Sequence, residues 1–287
     1  MSMMASERRG LDLSLLGHRL ELDADGIWRN RTAHDHALSF PETGHDACLR
    51  IEDDSFWFAH RSACITAALA RERIAGPLLD VGGGNGAVSQ ALERGHVETV
   101  LLEPGPVGAR NARSRGLPNV ICATLEDAGF APGAFGAAGL FDVIEHVADD
   151  EALLREVHRI LRPGGVVCVT VPAYRWLWSA EDELAGHHRR YTLGSLGRLL
   201  ARCSFEVRYE TYFFAPLTVP ILALRSLPHR LRRRPAAAVE QAAAGHHVPA
   251  PLLRRVMEAL LAPELAVIRA GRRVPFGTSC LAVAARP

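Results

Sequence analysis

The chain has 287 residues, 48% of them hydrophobic, and its 33 basic and 32 acidic side chains leave a formal net charge of +1. That length holds one α/β core with an appended part, and the balanced charge excludes a global field for nucleic acid. No apolar run reaches the length of a membrane span, and the first residues lack the basic-then-apolar order of a signal peptide, so a cytoplasmic protein is expected. Cys48, Cys64, Cys122, Cys168, Cys203 and Cys280 are scattered with no C-x-x-C pair, the pattern of buried, reduced thiols.

In chain order the sequence divides into segments 1–76, 77–214, 215–277 and 278–287. Residues 1–54 are a polar, His- and Arg-rich leader with short hairpin strands at Leu20-Glu21-Leu22 and Gly26-Ile27-Trp28. Residues 55–74 read as a helix stopped by Gly76-Pro77. It opens on Phe56-Trp57-Phe58; these aromatics either pack it onto a sheet or roof a ligand pocket, with Arg61 reaching a carboxylate. From 77 to 214, strands near 78–82, 98–103, 119–123, 137–141, 166–171 and 205–213 alternate with helices near 86–94, 106–115, 148–161 and 193–203. Such alternation implies a parallel sheet with right-handed crossovers. Thr192 suits an N-cap for the last of these helices.

The first of these strands runs into Asp80-Val81-Gly82-Gly83-Gly84-Asn85-Gly86. The glycines let the backbone turn sharply and let a ligand approach the main chain, and the helix that follows points its N-terminus at that ligand. Alone, the turn also satisfies the loose dinucleotide fingerprint. The next strand ends in Glu103, whose carboxylate can accept both hydroxyls of a ribose. After the third, Leu125-Glu126-Asp127 suit the face and exocyclic amine of an adenine. Phe141-Asp142-Val143-Ile144-Glu145-His146 and Leu161-Arg162-Pro163-Gly164-Gly165 complete the series.

In this order and spacing the motifs resemble the class I S-adenosylmethionine-dependent methyltransferases. The resemblance covers about residues 55–214 and the last strand. It implies a Rossmann-like seven-stranded sheet flanked by helices, mostly parallel, with 278–285 inserted antiparallel beside 205–213. An N-terminal cap and a helical insertion before the last strand complete the expected α/β architecture. The resemblance implies S-adenosyl-L-methionine as cofactor, with Asp80, Gly82, Gly84, Asn85 and Gly86 at its methionine part and Glu103 and Pro104 at the ribose. Leu125 and Glu126 fall at the adenine, with Asp127 as an alternative to Glu126, and Phe141, Trp57 and Arg61 border the pocket. Gly83 departs from the cysteine, alanine or serine more usual in the family.

Ligands of open α/β sheets bind beyond the carboxyl ends of the strands. His146, after the fourth strand, reads equally as a general base or as a helix-start residue bonded to backbone. The connection from Pro172 to Thr192 is long and gathers two Trp, two Tyr, two His, three Arg and three acids. Its W-S-x-x-D and G-H-x-R-R-Y-T pattern resembles a methyltransferase subgroup encoded with glycan, lipid-carrier or secondary-metabolite pathways. His187 and Tyr191 are candidate catalytic residues there, with His187 or His188 as a candidate base for a hydroxyl acceptor; alternatively Asp182, His187, Arg189 and Arg190 pin the loop by salt bridges. No metal site is expected at His187-His188, because adjacent histidines point apart and no third ligand stands at a usual spacing.

The apolar run 213–224 leads into Arg225, His229, Arg230, Arg232, Arg233 and Arg234. This insertion suits a lid, a homodimer contact or a contact with the inner membrane face. Residues 236–245 are Ala-rich, and Pro263 is expected to kink or split a helix over 252–269. The expected activity is methyl transfer to a small-molecule, sugar or lipid-linked acceptor, with no N/D-P-P-Y segment of the amide and amino-nucleobase enzymes. A non-catalytic S-adenosylmethionine-binding regulator and an NAD-dependent oxidoreductase are the alternatives. The second is disfavoured by the acid pair after the third strand and by F-D-V-I-E-H.

Overall fold

Two weakly marked runs near the start, Leu20–Leu22 (β1) and Trp28–Asn30 (β2), pair antiparallel in the computed structural model, which describes residues 11–17, 19–30, 42–231 and 251–287. Gly26 and Ile27 belong to the turn, where the Gly26 N–H donates to the Asp23 carbonyl, so β2 begins two residues later than expected. The hairpin is not a separate flap. Trp28 and Arg29 run parallel to Ile121 and Cys122 of Val120–Cys122 (β5). A three-residue strand would otherwise leave an open edge of unpaired backbone groups. Leu13 and Leu20 join the core below it.

The remaining strands are Leu78–Val81 (β3), Thr99–Leu102 (β4), Phe135–Phe141 (β6), Leu161–Pro172 (β7), Glu206–Phe213 (β8) and Ser279–Ala285 (β9). The sheet order is β1-β2-β5-β4-β3-β6-β7-β9-β8. Among the described residues it therefore has nine strands rather than the expected seven. The seven lie intact inside it: β5 through β7 run parallel, and β9 inserts antiparallel between β7 and β8.

Helices cover both faces, which is why the central strands are apolar on both sides. Leu78 packs in one cluster and its neighbour Leu79 in the other. On Leu79's side lie Asp150–Ile160 (α6), burying Leu154 and Val157, and Leu193–Arg202 (α8), burying Leu196 and Leu200. On Leu78's side lie Phe56–Leu69 (α2), Ala87–Arg94 (α3) and Pro251–Arg269 (α11). Ser55 caps α2 by accepting from the Trp57 N–H, and Thr192 caps α8 through the Ser195 N–H. The first of these helices ends at Leu69, short of the expected 74, as the Glu72 N–H tightens onto the Leu69 carbonyl.

Three further helices shape the binding edge: Glu42–Glu52 (α1), Pro106–Ser114 (α4) and Ala180–Leu184 (α7). The start of the insertion is helical from Ala215 to Arg230. The last helix, α11, runs unbroken across Pro263, correcting the expected split. The proline removes one donor, but the carbonyl it would have served, at Ala259, is at an exposed position open to solvent. Glu264 ties this helix to the sheet, accepting from His60 at 2.8 Å and from the Phe214 and Ala215 N–H groups at 2.7 Å each. Arg232, Arg233, Arg234 and the Ala-rich 236–245 lie outside the described residues. No helix among the described residues is long and apolar enough to cross a membrane.

Candidate active site

A cavity of about 620 Å3 opens at the carboxyl edge of the parallel strands. The edge concentrates unusual backbone: Asp142 after β6, Tyr174 after β7 and Phe214 after β8 have φ of 59°, 56° and 60°. Non-glycine residues in this region cluster where the fold holds a strained arrangement for function.

One half of the cavity is built from main chain. Gly82, Gly84 and Gly86 have φ of 68°, 54° and 80°, as the sharp turn requires. The Gly82 and Gly83 N–H groups donate to the Leu102 carbonyl, and the Gly84 N–H donates to Glu103 at 2.9 Å. None of these three is left for a pyrophosphate. The Glu103 carboxylate also accepts from the Gly105 N–H at 2.7 Å. Burial pushes its pKa up to about 7 against those two hydrogen bonds. A carboxylate has about four acceptor sites, so capacity for ribose hydroxyls remains. Asp80 is fully buried, accepts from the Ser89 hydroxyl at 2.6 Å, and is pushed up by burial to about 6.

Helix α1 hangs over this half. The Asn85 side-chain amide donates to the His45 carbonyl at 2.8 Å and to Glu52 at 3.1 Å. His45 Nε2 then stands 3.8 Å from Glu103. Nothing in the polar leader marked this helix, and His45, Cys48 and Glu52 in the cavity wall were not foreseen.

The other half is built from side chains. Arg61 pairs with Asp142 at 2.7 Å and donates to the Phe141 carbonyl at 2.6 Å. Trp57 stacks on Phe214 with ring centroids 3.9 Å apart. Glu145 is completely buried, and neither carboxylate oxygen has a hydrogen-bond partner among the described residues. Burial, then the nearby Asp142, drives its pKa well above the usual carboxylate range. Burial and the neighbouring His187 push His146 down to about 4, keeping it neutral. The two imidazoles meet edge to face, 4.7 Å between centroids.

His187 Nδ1 lies 2.8 Å from Asp182, which also takes Arg190 at 2.7 and 2.9 Å and the Ser179 N–H at 2.8 Å. Burial would raise Asp182, but the His187 and Arg190 hydrogen bonds outweigh it and hold the carboxyl down at about 2. Ile221 and Arg225 of the insertion close the far wall. That helical run docks on the loop through Ser226 to the Leu177 carbonyl and Arg230 to the Trp176 carbonyl, each 2.8 Å.

Most sequence-predicted residues meet here. Trp57, Arg61, Asp80, Gly82, Gly84, Asn85, Glu103, Pro104, Leu125, Phe141, His146 and His187 all line the cavity. Gly86 stands just outside as the N-cap of α3. Glu126 points to solvent on a short helix, and its neighbour Asp127 bonds to Thr124, so neither stands in the wall. Tyr191 also lies outside it. Its hydroxyl donates to Asp150 at 2.8 Å, which makes it a strut under the loop instead of an acceptor-side group. Arg189 reaches the same Asp150. His188 is exposed, and its backbone N–H fixes the loop to the Glu145 carbonyl. Glu145 itself lay inside a recognised motif, yet its spacing carried no hint that the fold would bury it beside His187.

The fold and this cavity define a class I methyltransferase. A family model described as "Methyltransferase domain" matches residues 58–210, and the chain belongs to that family. S-adenosylmethionine is its cofactor. A ubiquinone biosynthesis O-methyltransferase of Xanthomonas oryzae pv. oryzae is 33% identical over 103 residues, covering 33% of this chain and 43% of that protein. The chain thus matches under half the length of that relative. A "Probable S-adenosylmethionine-dependent methyltransferase" of Mycolicibacterium smegmatis is 26% identical over 60% of this chain and 69% of its own. Among solved structures, a SAM-dependent methyltransferase of Thermotoga maritima aligns with a TM-score of 0.54 at 16% identity, covering 85% and 95% of the two chains.

Proposed function

We propose that the protein methylates a hydroxyl of a small-molecule acceptor seated at the Glu145–His146–His187 end of the cavity. The observation that carries this reading is the continuity of one cavity from the glycine turn to that titratable cluster. Relatives named ubiquinone biosynthesis O-methyltransferases support oxygen as the acceptor atom. When bound, S-adenosylmethionine supplies an electrophilic methyl carbon: the acceptor oxygen bonds to it, the C–S electron pair goes to sulfur, and the hydroxyl proton is released. The chain's own contribution is position and a dry, preorganised site. Glu103 and the glycine turn hold the nucleoside end. Trp57 on Phe214 and the Arg61–Asp142 pair close the side between the halves. The loop after β7, with its G-H-x-R-R-Y pattern, is fixed by Asp182 and Asp150 so that His187 stays in the wall, and we place the chain in the subgroup that shares this pattern.

Calorimetry with S-adenosylmethionine, S-adenosylhomocysteine and NAD tests the reading, followed by an acceptor screen that detects S-adenosylhomocysteine release. Micromolar binding of the first two alone, and turnover with a hydroxylated acceptor, is expected. Preference for NAD, or binding with no turnover on any phenol, sugar or lipid-linked hydroxyl, counts against it.

The insertion supports a refinement, an acceptor with an apolar portion presented at a membrane surface. Val219, Leu224, Leu227 and Leu231 are 71, 56, 43 and 58% exposed on the same helical run that puts Ile221 and Arg225 in the wall. Sedimentation with anionic vesicles, lost in Leu224→Glu, is the expected result; a concentration-dependent dimer with no vesicle binding would favour a homodimer contact instead.

A further inference from the structure

We propose that Glu145, His146 and His187 form a binding site for a divalent first-row transition ion at the acceptor end of the cavity. The site rests on the methyltransferase reading above and deepens it: the ion's open position faces the space where the acceptor hydroxyl sits.

Geometry is the first support. One ligand atom from each of the three side chains lies within 4.8 Å of the others. They come from a short turn after β6 and from a loop some forty residues later, so no sequence spacing announces them.

The second support is Glu145. A buried carboxylate needs a cation or hydrogen-bond donors; among the described residues neither oxygen of this one has a hydrogen-bond partner, and Arg61 acts on it only through its field. The arginines in the cavity wall are committed elsewhere: Arg61 to Asp142 and the Phe141 carbonyl, Arg190 to Asp182 and the Ala173 carbonyl, and Arg225 to Glu181 at 3.5 Å. A divalent ion supplies the missing charge and occupies the orphaned oxygens together.

Third, His187 has the outer partner that a ligating imidazole usually has. Asp182 holds its Nδ1 at 2.8 Å, which leaves Nε2 for the ion, and Asp182 is itself anchored by Ser179 and Arg190. Two imidazoles and one carboxylate on one wall of a cavity leave positions open. That donor set suits Mn2+, Fe2+, Co2+ or Zn2+ better than Mg2+ or Ca2+, which favour all-oxygen surroundings. An open position that takes an acceptor hydroxyl lowers the hydroxyl's pKa, the activation that an oxygen nucleophile needs. The other His, Cys and Glu group, His60–Cys64–Glu264, lacks these features. Both Glu264 oxygens are already taken by N–H donors.

Chelator-stripped full-length protein titrated with Co2+ and followed by visible absorption tests the site, with S-adenosylhomocysteine calorimetry run in parallel. One equivalent of Co2+ is expected to give d–d bands without a thiolate band. Glu145→Gln and His187→Ala are each expected to weaken Co2+ binding by about a hundredfold, and Asp182→Asn by roughly ten- to a hundredfold. S-adenosylhomocysteine affinity and the circular dichroism spectrum of Glu145→Gln are expected to stay at wild-type values. Absence of saturable Co2+ binding, binding that survives both ligand variants, or a thiolate band pointing to Cys64 overturns the cation site. Co2+ binding without S-adenosylhomocysteine binding leaves the cation site standing and overturns the methyltransferase reading alone.

Discussion

The two halves of the cavity are made differently. Around Gly82–Gly86 and Glu103 the wall is main chain, closed by hydrogen bonds between the glycine turn, the Leu102 carbonyl and one carboxylate. Around Glu145, His146 and His187 it is side chain, assembled from the turn after β6, the loop after β7 and the insertion. A wall of backbone depends on conformation that only a few residues allow. A wall of side chains depends on polar groups being matched, and neither oxygen of Glu145 has a hydrogen-bond partner among the described residues. On the proposed function, the first half holds the cofactor and the second can be rewritten without disturbing it.

Substitutions confined to one half test that separation. The largest effect is expected from Gly84→Arg, which forces a side chain into the left-handed region and into the cavity; S-adenosylhomocysteine affinity should fall by roughly a hundredfold or more, read by calorimetry. Next, Asp182→Asn leaves Arg190 buried without its partner, so a loss of about 3 kcal/mol is expected in urea denaturation. Cofactor affinity should be unchanged in that variant; a parallel loss would show that the halves are coupled.

Glu103→Ala removes the ribose acceptor, and a cofactor affinity roughly tenfold to a hundredfold weaker is expected, corresponding to one charge-assisted hydrogen bond or somewhat more. The same residue sets a pH dependence. Its carboxyl titrates near 7 and that of Asp80 near 6 in the folded chain, above their ordinary values of 4.5 and 3.8. Between those limits the folded chain holds protons that the unfolded chain releases. Stability from these groups is therefore complete below about pH 4 and is lost as pH rises through 7. The ligand-free protein should lose on the order of 2 kcal/mol from Glu103 between pH 5 and pH 8, and urea melts of Glu103→Gln should show a smaller loss. The smallest effect is expected from Gly83→Ala. A Cβ there would stand 2.8 Å from Leu101, so about 1 kcal/mol of overpacking is predicted by thermal melting, with cofactor affinity retained. Leu101 is thus the physical reason for a glycine at this position.

How much of this was legible follows the same division. The glycine turn, Glu103 and the strand order through β9 are local or periodic features, so they could be read from spacing. The hairpin was visible as two weak runs, but its docking onto β5 is a tertiary choice made by an exposed edge. Helix α1 was missed because its cavity residues, His45, Cys48 and Glu52, are not an apolar stripe. Tyr191 was misplaced because its loop doubles back: the hydroxyl meets Asp150 on α6, forty-one positions away. For the same reason the proximity of Glu145 to His187 could not be inferred from either motif.

The antiparallel direction of β9 carries a last consequence. Because β8 ends and β9 begins at the same edge, Thr278 and Ser279 enter the cavity wall at the start of the strand. Ile221 and Arg225, in the connection between the two strands, enter the same wall, whereas α11 returns over the Leu78 face of the sheet. The sheet therefore holds open a port for variation. Side chains near Ile221 and Arg225 can be exchanged there with the β8–β9 pairing kept, and each such exchange reshapes the far wall of the cavity.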